Sequence, residues 1–259
     1  MRENTAAIFI PARLNSSRFP RKMLEPIDGK PLLLRVLDRA NRLNLYKCYV
    51  ACCGEELKQV VEQHGGNAIL TDPNLPSGTD RVFAALETFD DADRPEFIVN
   101  LQGDMAIFDE NILPTILDVL RANNSIDITT PVILDKSADS VRSSNVVKVV
   151  FNNMEKNQPG KALYFSRSFI PHGITFCYSH VGIYAYRYDA LKKLVALSPS
   201  FLENTEKLEQ LRAIQHDLNV WAVPVNGTAI SVDTKEDLNN VLNFLNSQKL
   251  ENIIFPGTS

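Results

Sequence analysis

The sequence contains few of the residues that mark a disulfide-stabilised or zinc-binding protein. Among its 259 residues there are four cysteines and four histidines, and the cysteines form no CxxC pair. This cysteine density is too low for a disulfide scaffold and favours a reducing compartment. The histidines form neither an HxxxH nor an HExxH pair, so local spacing predicts no zinc site. We expect any metal to be bound through oxygen atoms.

Long apolar runs and an excess of basic residues are missing as well. No run approaches the roughly 18 apolar residues of a membrane-spanning helix, and the N-terminal residues do not resemble a signal peptide. We therefore expect a cytoplasmic protein without membrane insertion. The 27 Lys and Arg residues against 31 Asp and Glu residues give a net charge of -4, which argues against a general nucleic-acid binder.

Strand-like and helical patterns alternate in the first half of the chain. Apolar runs such as AAIFI and EFIVNL alternate with segments of helical spacing such as PLLLRVLDRANRL. This alternation predicts a parallel sheet with helices on both faces. In the second half, VVKVVF and KALYFS have no long helix between them, which predicts a β-rich region. Further along, NTEKLEQLRAIQHD has the spacing of one helix.

A basic loop follows the first predicted strand. The segment PARLNSSRFPRK, from Pro11 to Lys22, holds Arg13, Arg18, Arg21 and Lys22 and no acidic residue. Open α/β sheets bind ligands beyond the carboxyl ends of their strands, and Arg and Lys are the side chains that bind phosphate oxygens. Because GxGxxG and Walker motifs are absent, charge must hold the phosphates. The pattern predicts a polyphosphate site, with a solvated basic loop as the alternative.

Two aspartates stand at the ends of predicted strands. Asp104 ends FIVNLQGD, and Asp233 follows the strand-like ISV directly before a predicted helix. Two such carboxylates facing a basic loop would suit Mg²⁺, which takes one or two carboxylates and otherwise prefers water and phosphate oxygens. The alternative is that each aspartate caps a turn or a helix.

The segment SGTDR, Ser77 to Arg81, precedes another predicted helix. Gly78 would let the backbone approach a ligand closely. Helix capping by Ser77 or Thr79 explains the same residues without a ligand.

Polar residues in the second half could line a sugar site. His180 and Tyr184 lie four residues apart on a predicted strand and so share a face, a pattern that ordinary packing also produces. Arg167, Glu209 and Gln210 could supply further polar groups, although LEQLR is also typical of a solvated helix face.

Taken in order, seven segments resemble the 3-deoxy-manno-octulosonate cytidylyltransferases (CMP-KDO synthetases). They are IPARLNSSRFPRKML, SGTDR, VNLQGD, ALYFSRSFIP, HVGIYAYR, ENTEKLEQLR and SVDTKEDL. The resemblance implies an α/β, three-layer Rossmann-like nucleotide-diphospho-sugar transferase fold with a mostly parallel central sheet and a β-rich sub-lobe. It implies one domain over 1–259. A nucleotide-binding part would cover about 1–135, a sugar-binding and dimerisation part about 136–230, and a closing strand and helix 231–259.

The resemblance also implies a reaction. CMP would pass from CTP to 3-deoxy-D-manno-octulosonate (KDO), giving CMP-KDO and pyrophosphate for lipopolysaccharide inner-core synthesis, with Mg²⁺ as cofactor and a homodimer as the assembly. We expect the ion to acidify the attacking hydroxyl, because the motifs contain no obvious general base. The alternatives are a cytidylyltransferase for 8-amino-KDO or another nonulosonate-type sugar acid, and a CTP-binding homologue without catalysis. A GT-A-type glycosyltransferase is disfavoured, because no DxD pair follows a mid-chain strand.

The family's functional positions transfer to this chain as expectations. Those implied to bind the nucleotide are Pro11, Ala12, Arg13, Arg18, Lys22, Ser77, Gly78, Thr79, Arg81 and Gln102. Those implied to bind the sugar are Gln102, Arg167, His180, Tyr184, Glu209 and Gln210. The implied metal ligands are Asp104 and Asp233, and these two together with Arg13 and Lys22 are the implied catalytic residues.

The chain departs from the family's pattern at two places. Family members commonly have Glu-Pro where this sequence has Met105 and Ala106, and Gly and Pro where it has Arg21 and Met23. The first change removes a carboxylate beside the implied metal site, and the second adds a cation to the phosphate loop. We expect activity to be retained with altered affinity.

Overall fold

The computed structural model of the chain describes residues 5–14 and 19–254, with side chains up to residue 247. Arg18 lies outside the described residues. The strands are β1 Ala6–Ala12, β2 Pro26–Ile27, β3 Lys30–Pro31, β4 Lys47–Cys52, β5 Asn67–Leu70, β6 Phe97–Leu101, β7 Ile107–Phe108, β8 Ile128–Asp135, β9 Lys148–Phe151, β10 Gly160–Ser166, β11 Cys177–His180, β12 Ile183–Arg187, β13 Val220–Pro224 and β14 Ala229–Ile230. The helices are α1 Leu32–Asn41, α2 Glu55–Gln63, α3 Gly78–Leu86, α4 Ile112–Ala122, α5 Ala138–Arg142, α6 Tyr188–Ala196, α7 Phe201–Glu206, α8 Gln210–Gln215 and α9 Lys235–Ile254.

Ten strands form the central sheet, in the order β11-β9-β10-β13-β8-β12-β6-β1-β4-β5. Strands β6, β1, β4 and β5 pair in parallel, as do β8 and β13. Strand β12 runs antiparallel to both of its neighbours, and β9, β10 and β11 pair antiparallel at one end of the sheet. The α/β architecture and the β-rich second half are therefore confirmed.

Helices cover both faces of this sheet, which makes three layers. The alternation of side chains along β1 explains why both faces are apolar: Ile8 and Ile10 pack with α1, α2 and α4, while Phe9 packs on the other face with α3, α6 and α8. All three side chains are almost fully buried, and burying such a side chain contributes about 1.5–3 kcal/mol. Within the described part of the chain, no helix is long and apolar enough to cross a membrane.

The single helix expected over NTEKLEQLRAIQHD is wrong. The chain forms α7 and α8 instead, because Lys207 takes a left-handed backbone conformation with φ 58° and interrupts the helix. A capping box between Ser200 and Glu203 starts α7 one turn earlier than the pattern predicts. This break makes Glu209 the first residue before α8 and directs the following side chains into the core.

Two short strands bring distant loops together at the edge of the sheet. Strand β7, just after β6, pairs antiparallel with β14, just before α9. The backbone N–H of Val232 donates to the carbonyl of Asp104 at 2.9 Å. The loops that carry Asp104 and Asp233 are thereby held side by side.

Candidate active site

A polar cleft of about 160 Å³ opens beyond the carboxyl ends of β1 and β6. The residues expected to bind a nucleotide that line it are Pro11, Ala12, Arg13, Lys22, Ser77, Gly78, Arg81 and Gln102. Asp104 and Asp233 complete its wall. The cleft therefore brings the basic loop, the start of α3 and both predicted metal ligands to one place.

Lys22 is the centre of an ion-pair cluster in this cleft. Its Nζ lies 2.6 Å from Asp104 Oδ2, 2.9 Å from Asp233 Oδ1 and 3.0 Å from the carbonyl oxygen of Val232. Burial by itself would lower the pKa of Lys22, but the two carboxylates outweigh this effect and raise it above its usual value. The ammonium is therefore charged at neutral pH and holds together two carboxylates that would otherwise repel each other.

The donor set of this cluster fits a magnesium ion. Mg²⁺ takes one or two protein carboxylates and fills its remaining positions with water and phosphate oxygens, and Asp104 and Asp233 are two carboxylates beside a cleft large enough for phosphates. Among the described residues there is no cluster of three or more His, Cys, Asp or Glu side chains of the kind that holds a metal without substrate.

The start of α3 combines capping with close packing around the cleft. Ser77 Oγ accepts from the backbone N–H of Asp80 at 3.1 Å, so the expected capping role is present. A Cβ atom added to Gly78 would lie 3.1 Å from Gln102 Oε1 and 3.2 Å from Pro11 Cγ. Any side chain at Gly78 would therefore crowd the cleft wall, which explains glycine at this position.

Arg81 is almost fully buried at the back of the cleft. Its guanidinium donates to Thr71 Oγ1 at 2.6 Å and to the carbonyl oxygen of Asp72 at 3.0 Å. These contacts hold the loop that precedes α3. In this structure the guanidinium of Arg81 binds oxygen atoms of the protein, and Arg81 therefore supports the shape of the cleft.

A second cavity, of about 810 Å³, adjoins the first and shares Asp233 with it. Arg167 and His180 both line it. His180 Nε2 lies 2.9 Å from Thr130 Oγ1, and burial lowers the pKa of His180 to about 3. The imidazole is therefore neutral at neutral pH and can exchange hydrogen bonds with hydroxyl groups.

Arg167 is held in this cavity by contacts that the sequence did not indicate. Its backbone N–H donates to Glu206 Oε2 at 3.0 Å, and its Nε donates to the carbonyl oxygen of Glu206 at 3.2 Å. Nη1 donates to the carbonyl oxygen of Ser144 at 3.1 Å. Glu206, at the end of α7, is thus a site residue that motif analysis missed, because its partner lies 39 positions away.

The remaining predicted sugar ligands lie outside the larger cavity. Tyr184, Glu209 and Gln210 surround a small void of about 10 Å³ deeper in the protein. Glu209 contacts the start of α3: its two carboxylate oxygens each lie 2.9 Å from a hydroxyl, that of Ser77 and that of Thr79. Burial raises the pKa of Glu209, while hydrogen bonds from these hydroxyls act in the opposite direction.

Buried polar side chains lie behind the wall of the first cleft. Gln102 Nε2 donates to Asn100 Oδ1 at 3.0 Å, and Asn100 lies beside Thr79, which is buried behind the cleft wall. Gln210 is buried too, and its Nε2 finds no partner among the described residues. The alternative of a solvated helix face at LEQLR therefore does not hold, because Gln210 and Arg212 are buried.

Comparison with known proteins finds relatives that match most of the chain. A family model described as cytidylyltransferase matches residues 7–220. A 3-deoxy-manno-octulosonate cytidylyltransferase of Rickettsia bellii is 42% identical over 251 residues, which is 96% of this chain and 100% of the relative. The chain belongs to the 3-deoxy-manno-octulosonate cytidylyltransferase family. Another relative with that name, from Rhodospirillum rubrum, is 41% identical over 89% of this chain and 92% of its own length.

Solved structures extend the likeness to the fold of the cytidylyltransferase family. A CMP:2-keto-3-deoxy-manno-octonic acid synthetase complexed with CTP superposes with a TM-score of 0.85 at 34% identity, covering 94% of this chain and 99% of the other. A 4-diphosphocytidyl-2C-methyl-D-erythritol synthase from Anaerococcus prevotii has a TM-score of 0.61 at 17% identity, over 94% of this chain and 99% of its own. The second match shows the shared fold alone.

The departures from the cytidylyltransferase pattern are accommodated without disturbing the ion-pair cluster. Met105 is buried and lines the larger cavity, and Ala106 is buried behind it. Arg21 has a φ of 60°, in the left-handed region that favours glycine. Its guanidinium pairs with Glu56 on α2, at 2.5 Å between Nη2 and Oε1. The added cation is therefore directed to the neighbouring helix.

Proposed function

We propose that this chain transfers CMP from CTP to KDO and releases pyrophosphate. The observation that carries the proposal is the junction of two cavities at Asp233. One cavity is lined by Arg13 and Lys22, which suits a triphosphate, and the other contains Arg167, which suits a sugar acid. The names of the related proteins support the same pair of substrates.

In the proposed reaction the anomeric hydroxyl of KDO attacks the α-phosphorus of CTP in line. A bond forms between that oxygen and phosphorus, the bond to the pyrophosphate oxygen breaks, and the proton of the hydroxyl passes to water. Arg13 and Lys22 stabilise the negative charge that develops on pyrophosphate, because cations positioned in a cleft bind the transition state more strongly than the ground state. Holding both substrates at adjacent cavities lowers the entropic part of the barrier.

Asp104 and Asp233 are the residues that would hold Mg²⁺. When bound, the ion supplies charge neutralisation for the phosphates and polarises the reacting phosphorus. Lys22, which contacts both aspartates, keeps their carboxylates oriented toward the cleft. Gln102, which lines the cleft wall, would contact the nucleotide in this proposal.

On the sugar side, Arg167 binds the carboxylate of KDO in this proposal. The neutral His180, whose Nε2 contacts Thr130, offers hydrogen bonds to the sugar hydroxyls. Glu209 acts from behind the cleft, because its carboxylate contacts Ser77 and Thr79 at the start of α3.

We also propose a homodimer and a cytoplasmic location. Large apolar side chains are exposed on and near the β-rich region, at Leu134, Leu163 and Phe169, and pairing with a second copy would cover them. The four cysteines are free, and three of them are buried, which suits a reducing compartment. Light scattering after size-exclusion chromatography tests the dimer directly.

The test of the function is pyrophosphate release by the purified protein with CTP and Mg²⁺, with and without KDO. We expect release that depends on KDO and that EDTA abolishes. The same assay with 8-amino-KDO and N-acetylneuraminate identifies the preferred sugar acid. CTP binding without pyrophosphate release for any sugar would contradict the proposal and indicate a nucleotide-binding homologue without catalysis.

A further inference from the structure

The larger cavity has a charge balance that opposes an anionic substrate. The described residues that line it include four carboxylates, those of Asp135, Asp233, Glu236 and Asp237, against the single guanidinium of Arg167. His180 also lines the cavity, but its low pKa of about 3 leaves it neutral. A further cation near Arg167 would therefore favour the binding of a carboxylate here.

A second cation contacts the backbone of Arg167. Lys148, the first residue of β9, sits opposite Ser166 of β10 and Ser179 of β11, and its side chain is completely buried. Its Nζ donates to the carbonyl oxygens of Ser143 and, at 3.0 Å, of Arg167. Among the described residues no carboxylate lies within ion-pair distance of this ammonium.

Such a buried cation is unusual because it lacks a counter-charge. Buried lysines are normally paired, since removing an ammonium from water is costly unless an anion or several hydrogen bonds replace the solvent. Burial lowers the pKa of Lys148, and the nearby Arg167 also lowers it to a smaller extent. An anion bound at Arg167 would relieve the repulsion between these two cations.

Lys148 also determines where Arg167 lies. The peptide groups of Arg167 are held from both sides: Glu206 accepts from its N–H, and Lys148 donates to its carbonyl oxygen. The same lysine holds Ser143, and Ser144 next to it accepts from the Arg167 guanidinium. One ammonium group therefore links the two segments of chain that fix the arginine.

We propose that Lys148 is a positioning residue for the carboxylate of the sugar substrate, holding Arg167 in place and adding a second positive charge behind it. This inference rests on the proposed function. A purely structural lysine would affect the stability of the sheet but would not distinguish a charged ligand from an uncharged one.

The test compares Lys148→Met with the wild type and with Lys161→Met, which removes an exposed lysine from β10. Calorimetry measures the dissociation constants of KDO, of the uncharged KDO methyl ester and of CTP. We expect Lys148→Met to weaken KDO binding about tenfold or more, as for the loss of one charge-assisted interaction. Binding of the methyl ester and of CTP should stay within about twofold, and Lys161→Met should match the wild type throughout.

Steady-state kinetics adds a second readout, in which Lys148→Met raises KM for KDO more than it lowers kcat. Lys148→Arg keeps a cation at the site and should recover part of the selectivity for KDO over the ester. If Lys148→Met does not fold, the binding of KDO and of the ester is compared between Lys148→Arg and the wild type instead. Unchanged KDO binding in Lys148→Met, or an equal loss for KDO and the ester, would overturn the inference. A wild type that binds no KDO would overturn the proposed function as well, so the two failures are distinguishable.

Discussion

Replacing Lys22 with Met should separate the structural from the catalytic role of the cation between the two aspartates. The substitution keeps most of the apolar stem and removes three contacts, to Asp104, Asp233 and the carbonyl oxygen of Val232. Breaking a fully buried ion pair costs about 3–5 kcal/mol. Here the side chains of Asp104 and Asp233 keep 24% and 43% of their exposure, so water reaches the charges left behind.

We therefore expect Lys22→Met to lower the free energy of unfolding by about 1–3 kcal/mol. Turnover should fall by about 10²–10³-fold, the range for removing one donor that stabilises transition-state charge. Because Mg²⁺ would supply positive charge to the same two carboxylates, saturating Mg²⁺ should restore stability to the variant more than it adds to the wild type.

Urea unfolding with and without Mg²⁺ measures both effects. Lys58→Met is the matched control, since its pair with Glu55 is long, 4.0 Å, and partly exposed, and it should change stability by less than about 0.5 kcal/mol. Equal stabilisation of wild type and Lys22→Met by Mg²⁺ would refute the assignment of the two aspartates as ligands. An unchanged urea midpoint for Lys22→Met would refute the energetic role of the cluster.

Three further predictions concern the surroundings of the site. Arg21→Gly should raise the free energy of unfolding by up to about 1 kcal/mol, because it relieves a left-handed backbone and loses only an exposed pair with Glu56; a less stable variant by urea unfolding would contradict this. Glu209→Gln should raise KM for CTP several-fold with little effect on KM for KDO, because Glu209 contacts the start of α3; the opposite pattern in steady-state kinetics would place it at the sugar. His180 has a folded-state pKa of about 3, below its unfolded value of about 6.5. Its contribution to stability is therefore present above pH 6.5 and lost as the pH falls toward 3, by up to about 1.4 kcal/mol per unit. Urea unfolding between pH 8 and 5 gives the free energy of unfolding as a function of pH. This free energy should fall less steeply with decreasing pH for His180→Asn than for the exposed control His172→Asn. Equal slopes would contradict the lowered pKa of His180.

The parts of the fold that depend on local periodicity could be predicted from the sequence. The alternation of apolar and polar residues in the first half reports which segments are strands and which are helices. It also explains why Asp104 lies beyond the carboxyl end of the sheet, since it stands three residues after the end of β6. The position of the basic loop after β1 follows from the same reasoning.

The parts that depend on long-range pairing could not be predicted in this way. Asp233 meets Asp104 because two strands of two residues each, β7 and β14, pair across more than a hundred positions, and such short strands have no periodic signal. The break at Lys207 is a single left-handed residue, so spacing alone predicts one helix where the chain forms two. Lys148 stands in an apolar run, VVKVVF, and nothing local shows that its ammonium turns inward to the backbone of Arg167.

Phosphorus NMR of a reaction containing CTP, KDO, Mg²⁺ and the protein follows both products of the proposed transfer at once. We expect the CTP resonances to decrease while a phosphodiester resonance, for CMP joined to the sugar, and pyrophosphate appear in equal amounts. We expect no change when KDO is omitted. Pyrophosphate without the phosphodiester, or bound CTP that remains intact in the presence of KDO, would contradict the proposed transfer.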